Sequence, residues 1–309
     1  MKYRHLAYAL VFAFGCGDST NPPAGSSADA SQSGGADGSN NSGNDGGNAD
    51  CSVPVLLAAD GCDQRGNFID TSKSCGAGGS YPMPEISVTC DTNTVRIESN
   101  GIPNFNFVPI TPNALQENEF VFQIPRNPTV ATNKADVPLL GAAAVAVNGL
   151  PIFGPTEAPQ MGSRDPYLDQ ILDYCNGHTA MGGVYHFHAR PECLYQNAAG
   201  QTSLVLAYAF DGFPILAPYV CEDASCTSVS EISSSWRQIE DVYGTSIENA
   251  WDAHEYVASR SALDECNGMT MADGSYAYFA TDTFPYFIGC YHGNATGSMT
   301  GGGGGPPGQ

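Results

Sequence analysis

Leu172-Asp173-Tyr174-Cys175-Asn176-Gly177, followed by Gly183-Val184-Tyr185-His186-Phe187-His188-Ala189, decides how this chain is read, because both passages recur. The second versions are Leu263-Asp264-Glu265-Cys266-Asn267-Gly268 and Gly274-Ser275-Tyr276-Ala277-Tyr278-Phe279-Ala280, each displaced by 91 residues. The aromatic runs read as strands. A third shared passage precedes them. Ala142-Ala143-Ala144-Val145-Ala146-Val147 leads into Asn148-Gly149-Leu150-Pro151-Ile152 and Pro155. Leu204 to Phe210 leads likewise into Asp211-Gly212-Phe213-Pro214-Ile215 and Pro218. Asn-Gly and Asp-Gly accept positive φ and favour tight turns. Three matches in the same order indicate an internal duplication, with pseudo-repeats at about 141–195 and 204–293. The second copy carries an insertion with Cys221, Cys226 and a helix candidate around Ile247 to Ala258.

Outside the repeats, Glu85 to Cys90, Thr94 to Glu98 and Glu119 to Ile124 alternate like strands. A short helix fits Pro166 to Tyr174. The expected fold is mainly β: a two-sheet sandwich or roll with an approximate two-fold relation between the copies, a few short helices and disulfide staples.

Residues 1–15 read as a secretory signal, with Lys2 and Arg4 before an apolar run from Leu6 to Phe14. That run is far short of the roughly 20 residues a membrane-spanning helix needs. Ala13-Phe14-Gly15-Cys16 resembles a bacterial lipobox, which makes Cys16 the acylated first residue of the mature chain; plain secretion is the rival reading. Residues 16–50 are almost wholly Gly, Ser, Asn, Asp and Ala, so they have nothing to bury and form a disordered tether. Residues 299–309 are expected to be a disordered Gly/Pro tail, which leaves 51–298 as the folded domain. Gly17 follows Cys16, so an Asp signal for inner-membrane retention is missing there, and the outer membrane or cell surface is the expected location.

The formal charge of -21 argues against nucleic acid as a partner. Membrane contact is expected through the lipid anchor alone, and the domain is expected to be a monomer. Eleven cysteines occur, and setting Cys16 aside leaves an even number in an exported chain, a disulfide pattern. The repeat predicts Cys175–Cys193 and Cys266–Cys290, each closing a loop around its aromatic strand. Cys221–Cys226 makes a small loop, and Cys62–Cys75 is expected to nest within Cys51–Cys90.

The assembled passages resemble the YHYH domain family. The carriers are Asn100-Gly101-Ile102-Pro103, Asn148-Gly149-Leu150-Pro151-Ile152, Cys175-Asn176-Gly177-His178, Tyr185-His186-Phe187-His188, Asp211-Gly212-Phe213-Pro214-Ile215, Leu263 to Gly268, and Phe284-Pro285-Tyr286 leading to Cys290-Tyr291-His292-Gly293. The resemblance implies a bacterial exported domain and brings no established activity. Phe187 stands where the family motif has Tyr. Phe105 stands where family members carry a His, which implies one fewer ligand here.

On a strand, His186 and His188 point to one face, while Tyr185 and Phe187 point to the other. The Gly182-Gly183 turn would return the chain past His178. Three such histidines suit copper, then zinc. His292 is a candidate fourth ligand, and Asp173 or Asp211 a carboxylate ligand or a partner to an imidazole. The second copy has Met269, Ala277 and Phe279 at the three His positions, which allows one site per domain or merely structural histidines. His254, on the insertion's helix candidate, is expected to face solvent or pack there. The Asp and Asn of the repeated motif are expected to cap turns rather than bind calcium. No G-x-S-x-G, H-E-x-x-H or P-loop pattern occurs. The leading expectation is a metal-binding domain. The alternatives are a metalloenzyme acting on an extracellular substrate and a metal-free structural or glycan-contacting module.

The lipobox reading predicts that Cys16→Ser moves the protein from the membrane fraction to the soluble one. Wild-type protein found only in the medium would refute the anchor.

Overall fold

The computed structural model describes residues 53–158, 164–195, 198–240, 242 and 249–301. The signal, the tether, Cys16, Cys51 and residues 302–309 lie outside the described residues. The strands are β1 (Ile86–Cys90), β2 (Thr94–Ser99), β3 (Phe120–Pro125), β4 (Val130–Ala135), β5 (Ala142–Ala146), β6 (Pro151–Phe153), β7 (Gly177–Thr179), β8 (Tyr185–Phe187) and β9 (Val205–Ala209). They continue with β10 (Pro214–Leu216), β11 (Tyr219–Cys221), β12 (Val229–Glu231), β13 (Trp236–Gln238), β14 (His254–Tyr256), β15 (Gly268–Thr270), β16 (Tyr276–Phe279), β17 (Tyr291–Gly293) and β18 (Ser298–Thr300).

The main sheet has eight strands in the order β15-β16-β10-β9-β5-β6-β8-β7. Read outward from its centre, every strand of the first repeat has its counterpart at the mirrored place. The central pair, β5 and β9, is antiparallel, with Val145 opposite Tyr208. Ile152 pairs with Phe187 in parallel on one side, and Ile215 with Tyr278 on the other. The outer hairpins match in register, His178 facing His186 where Met269 faces Ala277. The duplication is therefore a pseudo-two-fold within one sheet. Its centre is lined by Ala143, Ala144, Ala146, Ala207 and Ala209, all buried. A continuous small apolar run of this kind suits a strand covered on both faces.

The second sheet, β1-β2-β3-β18, alternates and turns Val95, Ile97, Phe120, Phe122 and Ile124 inward. These residues share one apolar cluster with the main sheet. Both Gly turns press against this second sheet. A Cβ on Gly149 would meet Ser99 Cβ at 2.9 Å, and one on Gly212 would meet the Pro125 carbonyl at 2.5 Å. Their φ values of 80° and 89° also favour glycine.

Each L-D-x-C-N-G passage folds as the same knot. Asp173 Oδ1 accepts from the Cys175 and Gly177 amides at 2.9 and 3.1 Å; Asp264 Oδ1 accepts from those of Cys266 and Gly268 at 2.9 and 3.2 Å. Asn176 and Asn267 adopt φ of 61° and 65°. The Tyr185 hydroxyl donates to Asp173 at 2.9 Å and that of Tyr276 to Asp264 at 3.1 Å. The capping role expected for these carboxylates is thus their role.

Cys175–Cys193, Cys266–Cys290 and Cys221–Cys226 form as expected. The nested pairs do not, because Cys62 bonds Cys90. The 3-10 turn Asp63–Asn67 lies against β1, where Arg65 Nε donates to the Val88 carbonyl at 3.1 Å, and this brings Cys62 to the end of that strand. Cys75 is also disulfide-bonded.

Three further expectations fail. Pro166 to Tyr174 is a turn, broken where Gln170 takes a φ of 57°. The insertion's helix reduces to a 3-10 turn, Ala250–Ala253, capped by Asn249. His254 then enters β14, which pairs with β13, so pairing to Trp236 overrides local helix preference. The domain also runs past residue 298: Ser298–Thr300, partly assigned to the tail, pair with β3.

Gly177 and Gly268 lie directly under the two tyrosine hydroxyls, where an added Cβ would come within 2.4 and 2.3 Å of oxygen. Gly177→Ala and Gly268→Ala should each destabilise the fold by about 1–3 kcal/mol through overpacking, read by denaturant unfolding. Ser298→Ala, on the rim strand, serves as the neutral control.

Candidate metal centre

The β7–β8 hairpin sets His178 directly opposite His186, which leaves their Cβ atoms roughly 4.5–5.5 Å apart. His188 follows two residues on and points to the same face. The three rings are 3%, 2% and 1% exposed. Their ligating nitrogens all lie within 4.8 Å of one another, so the three could hold a metal ion. Phe153, from β6, stacks on His186 with ring centroids 4.0 Å apart and closes one side.

The outer ring nitrogens fix the inner ones. His178 Nδ1 lies 3.0 Å from the Ile171 carbonyl, His186 Nδ1 3.1 Å from that of Val184, and His188 Nδ1 2.7 Å from that of Gly154. A carbonyl oxygen only accepts, so each Nδ1 carries the hydrogen. In the neutral ring the lone pair then sits on Nε2, and all three Nε2 atoms face the common centre. His186 Nε2 and His188 Nε2 stand 2.9 Å apart. Two lone pairs at that distance repel each other unless a cation lies between them. Burial, followed by the neighbouring His188 and His178, holds the His186 pKa well below the usual range. Burial and then His178 bring His188 down to about 4.

Glu157, just after β6, is the residue that sequence reasoning missed. Its Oε2 lies 3.1 Å from His178 Nε2 and 4.0 Å from His188 Nε2. That oxygen is buried and has no well-formed hydrogen bond. Burial alone would raise this carboxyl, but the His178 imidazole beside it and the Ala158 amide, which donates to Oε1 at 2.8 Å, outweigh it and leave the pKa lowered.

The other candidates lie elsewhere. Asp173 is occupied by its own turn and by Tyr185. Asp211 accepts from the Tyr278 hydroxyl at 2.5 Å and from the Gly293 and Phe213 amides at 2.9 and 3.2 Å. His292 stacks on Tyr276 at 3.7 Å, with Nδ1 3.9 Å from Asp264, so it belongs to the second repeat's knot. Phe105 packs against Tyr185 and Phe187, on the face away from the histidines, so no ligand is lost there. His254 is buried and stacks on Phe284 at 3.7 Å.

A family model described as YHYH protein matches residues 121–293, more than half of the chain. The chain belongs to the YHYH family. Neither curated proteins nor solved structures gave a match. The matched region contains every residue of the histidine centre and both copies of the repeat, whereas Asn100-Gly101-Ile102-Pro103 falls before it. In this YHYH domain the signature splits between two faces. His186 and His188 turn to the centre, while Tyr185 and Phe187 turn to the core. Phe187 is fully buried among aromatic rings, and the hydroxyl it lacks is present in the other half, where Tyr278 binds Asp211.

In metal-free protein, nitrogen-15 NMR should show neutral His186 and His188 protonated at Nδ1, with His188 titrating at about pH 4 and His186 well below the usual imidazole range. The unfolded chain takes up these protons near pH 6.5 while the fold holds them off. Stability should therefore fall as pH drops from about 6.5 towards 4. Nε2–H tautomers would contradict the geometry.

Proposed function

We propose that this YHYH domain is an exported, lipid-anchored module that holds one copper or zinc ion on His178, His186 and His188. The observation that carries the reading is the commitment of all three Nδ1 hydrogens to main-chain carbonyls. It leaves three Nε2 lone pairs aimed at one point, and imidazole nitrogens are good ligands for Cu(II) and Zn(II). The carbonyls also act as outer partners that fix ring orientation, an arrangement common among metal-binding histidines. Purely structural histidines would gain nothing from crowding unprotonated nitrogens together in a dry interior.

The near-complete burial of the rings favours holding an ion over acting on a bulky extracellular substrate, so a metalloenzyme is the second reading. Export and lipidation rest on the signal-like start, Cys16 and the disulfides, which suit an oxidising compartment.

Untagged full-length protein should bind one equivalent of copper, or of zinc more weakly, by calorimetry. Free metal at 100 times Kd should stabilise the fold by about 2.7 kcal/mol. The His186→Ala, His188→Ala double variant should lose both effects while remaining folded. Equal metal uptake by the two proteins would remove these histidines as ligands.

A further inference from the structure

The second half of the sheet holds an apolar copy of the histidine centre. Met269, Ala277 and Phe279 occupy the three His positions, and Leu216 replaces Phe153. The correspondence of Pro155 with Pro218 sets Val220 against Glu157. Leu216, Leu263, Ala277 and Phe279 form a separate buried cluster, with Met269 and Val220 packed against it. Where the three histidines are lost, the carboxylate is lost with them, and apolar side chains fill the same place. A glutamate unrelated to the centre would have no reason to change with it.

The distances agree. Donors around a tetrahedral ion at about 2.0–2.2 Å stand roughly 3.4 Å from one another. Glu157 Oε2 is 3.1 Å from His178 Nε2 and 4.0 Å from His188 Nε2, and His186 and His188 are 2.9 Å apart at Nε2. The oxygen is buried and lacks a well-formed hydrogen bond, so an ion at the centre would satisfy it.

We infer that Glu157 is the fourth ligand of this centre and that its charge selects a divalent ion over cuprous ion. The inference rests on the metal-binding reading above. Three neutral imidazoles bring no net charge. One carboxylate attracts a doubly charged ion twice as strongly as a singly charged one at the same distance. Oxygen donors also suit divalent ions, whereas Cu(I) favours softer thiolate and thioether ligands and does not require this fourth group.

The test uses untagged full-length protein and Glu157→Gln, which keeps the shape and removes the charge. Zn(II) and Cu(I) affinities are measured by chelator competition, Cu(I) under ascorbate without oxygen. The Zn(II) Kd should rise at least about 100-fold, beyond the roughly 10–100-fold expected for loss of an outer partner, while the Cu(I) Kd moves less than about tenfold. Unchanged Zn(II) binding, or equal losses for both ions, would overturn the inference and leave the histidines as ligands. Wild-type protein that binds neither ion would overturn the metal-binding reading as well. If Glu157→Gln fails to fold, Glu157→Asp serves instead. It withdraws the oxygen by one methylene and should also weaken Zn(II) more than Cu(I).

Discussion

A carboxylate under a tyrosine hydroxyl, buried in the first half and partly exposed in the second, ties the turn to the returning strand in each half of this domain. Asp173 gathers two amides of its own turn and the hydroxyl of Tyr185 from the returning strand, and Asp264 does the same with Tyr276. The bond fixes how far the hairpin strand slides past the turn. With that register set, the disulfide closes the loop, Asn takes its left-handed place, and the next residues of β7 and β8 face each other. The histidines converge only because this register is correct. A slip of one residue would send His186 and His188 into the core and Tyr185 and Phe187 outward.

The fold was legible where a local pattern repeats. The turn dipeptides, the aromatic strands and their common displacement identified the duplicated unit, and the structure adds that both copies lie in one sheet about the β5–β9 pair. The repeat also gave two disulfides. It offered no guide to Cys62 and Cys90, which have no counterparts and meet because a short turn rests on β1. Helix preference around Trp251 misled for a related reason, since the pairing of β13 with β14 outweighs what a few residues favour alone.

The centre was legible by half. Strand alternation placed His186 and His188 together, and the Gly-Gly turn brought back His178. Glu157 had no such signal. It lies in an irregular segment beyond β6, as one of 32 acidic residues, and reaches the centre only because β6 runs parallel to β8. Comparing the repeats would have exposed it, as the glutamate that becomes valine where the histidines become apolar. The same comparison separates the signature's two residue types. The second copy keeps Tyr276 and Tyr278 and drops the histidines, so the tyrosines belong to the scaffold and the histidines to the site.

The outermost strands of the main sheet, β7 and β15, are each only three residues long, and each carries one member of its cluster, His178 or Met269. Beyond its neighbour, each is held by its own cluster, and β7 also by the Thr179 hydroxyl, which donates to the Asn113 carbonyl at 2.6 Å. At β15 that hold is apolar packing, which no small molecule removes. At β7, in the metal-bound state proposed above, it would be imidazoles and a carboxylate meeting around a positive charge, so one margin of a near-symmetric sheet would be sealed by apolar packing and the other by a clasp that a chelator can open.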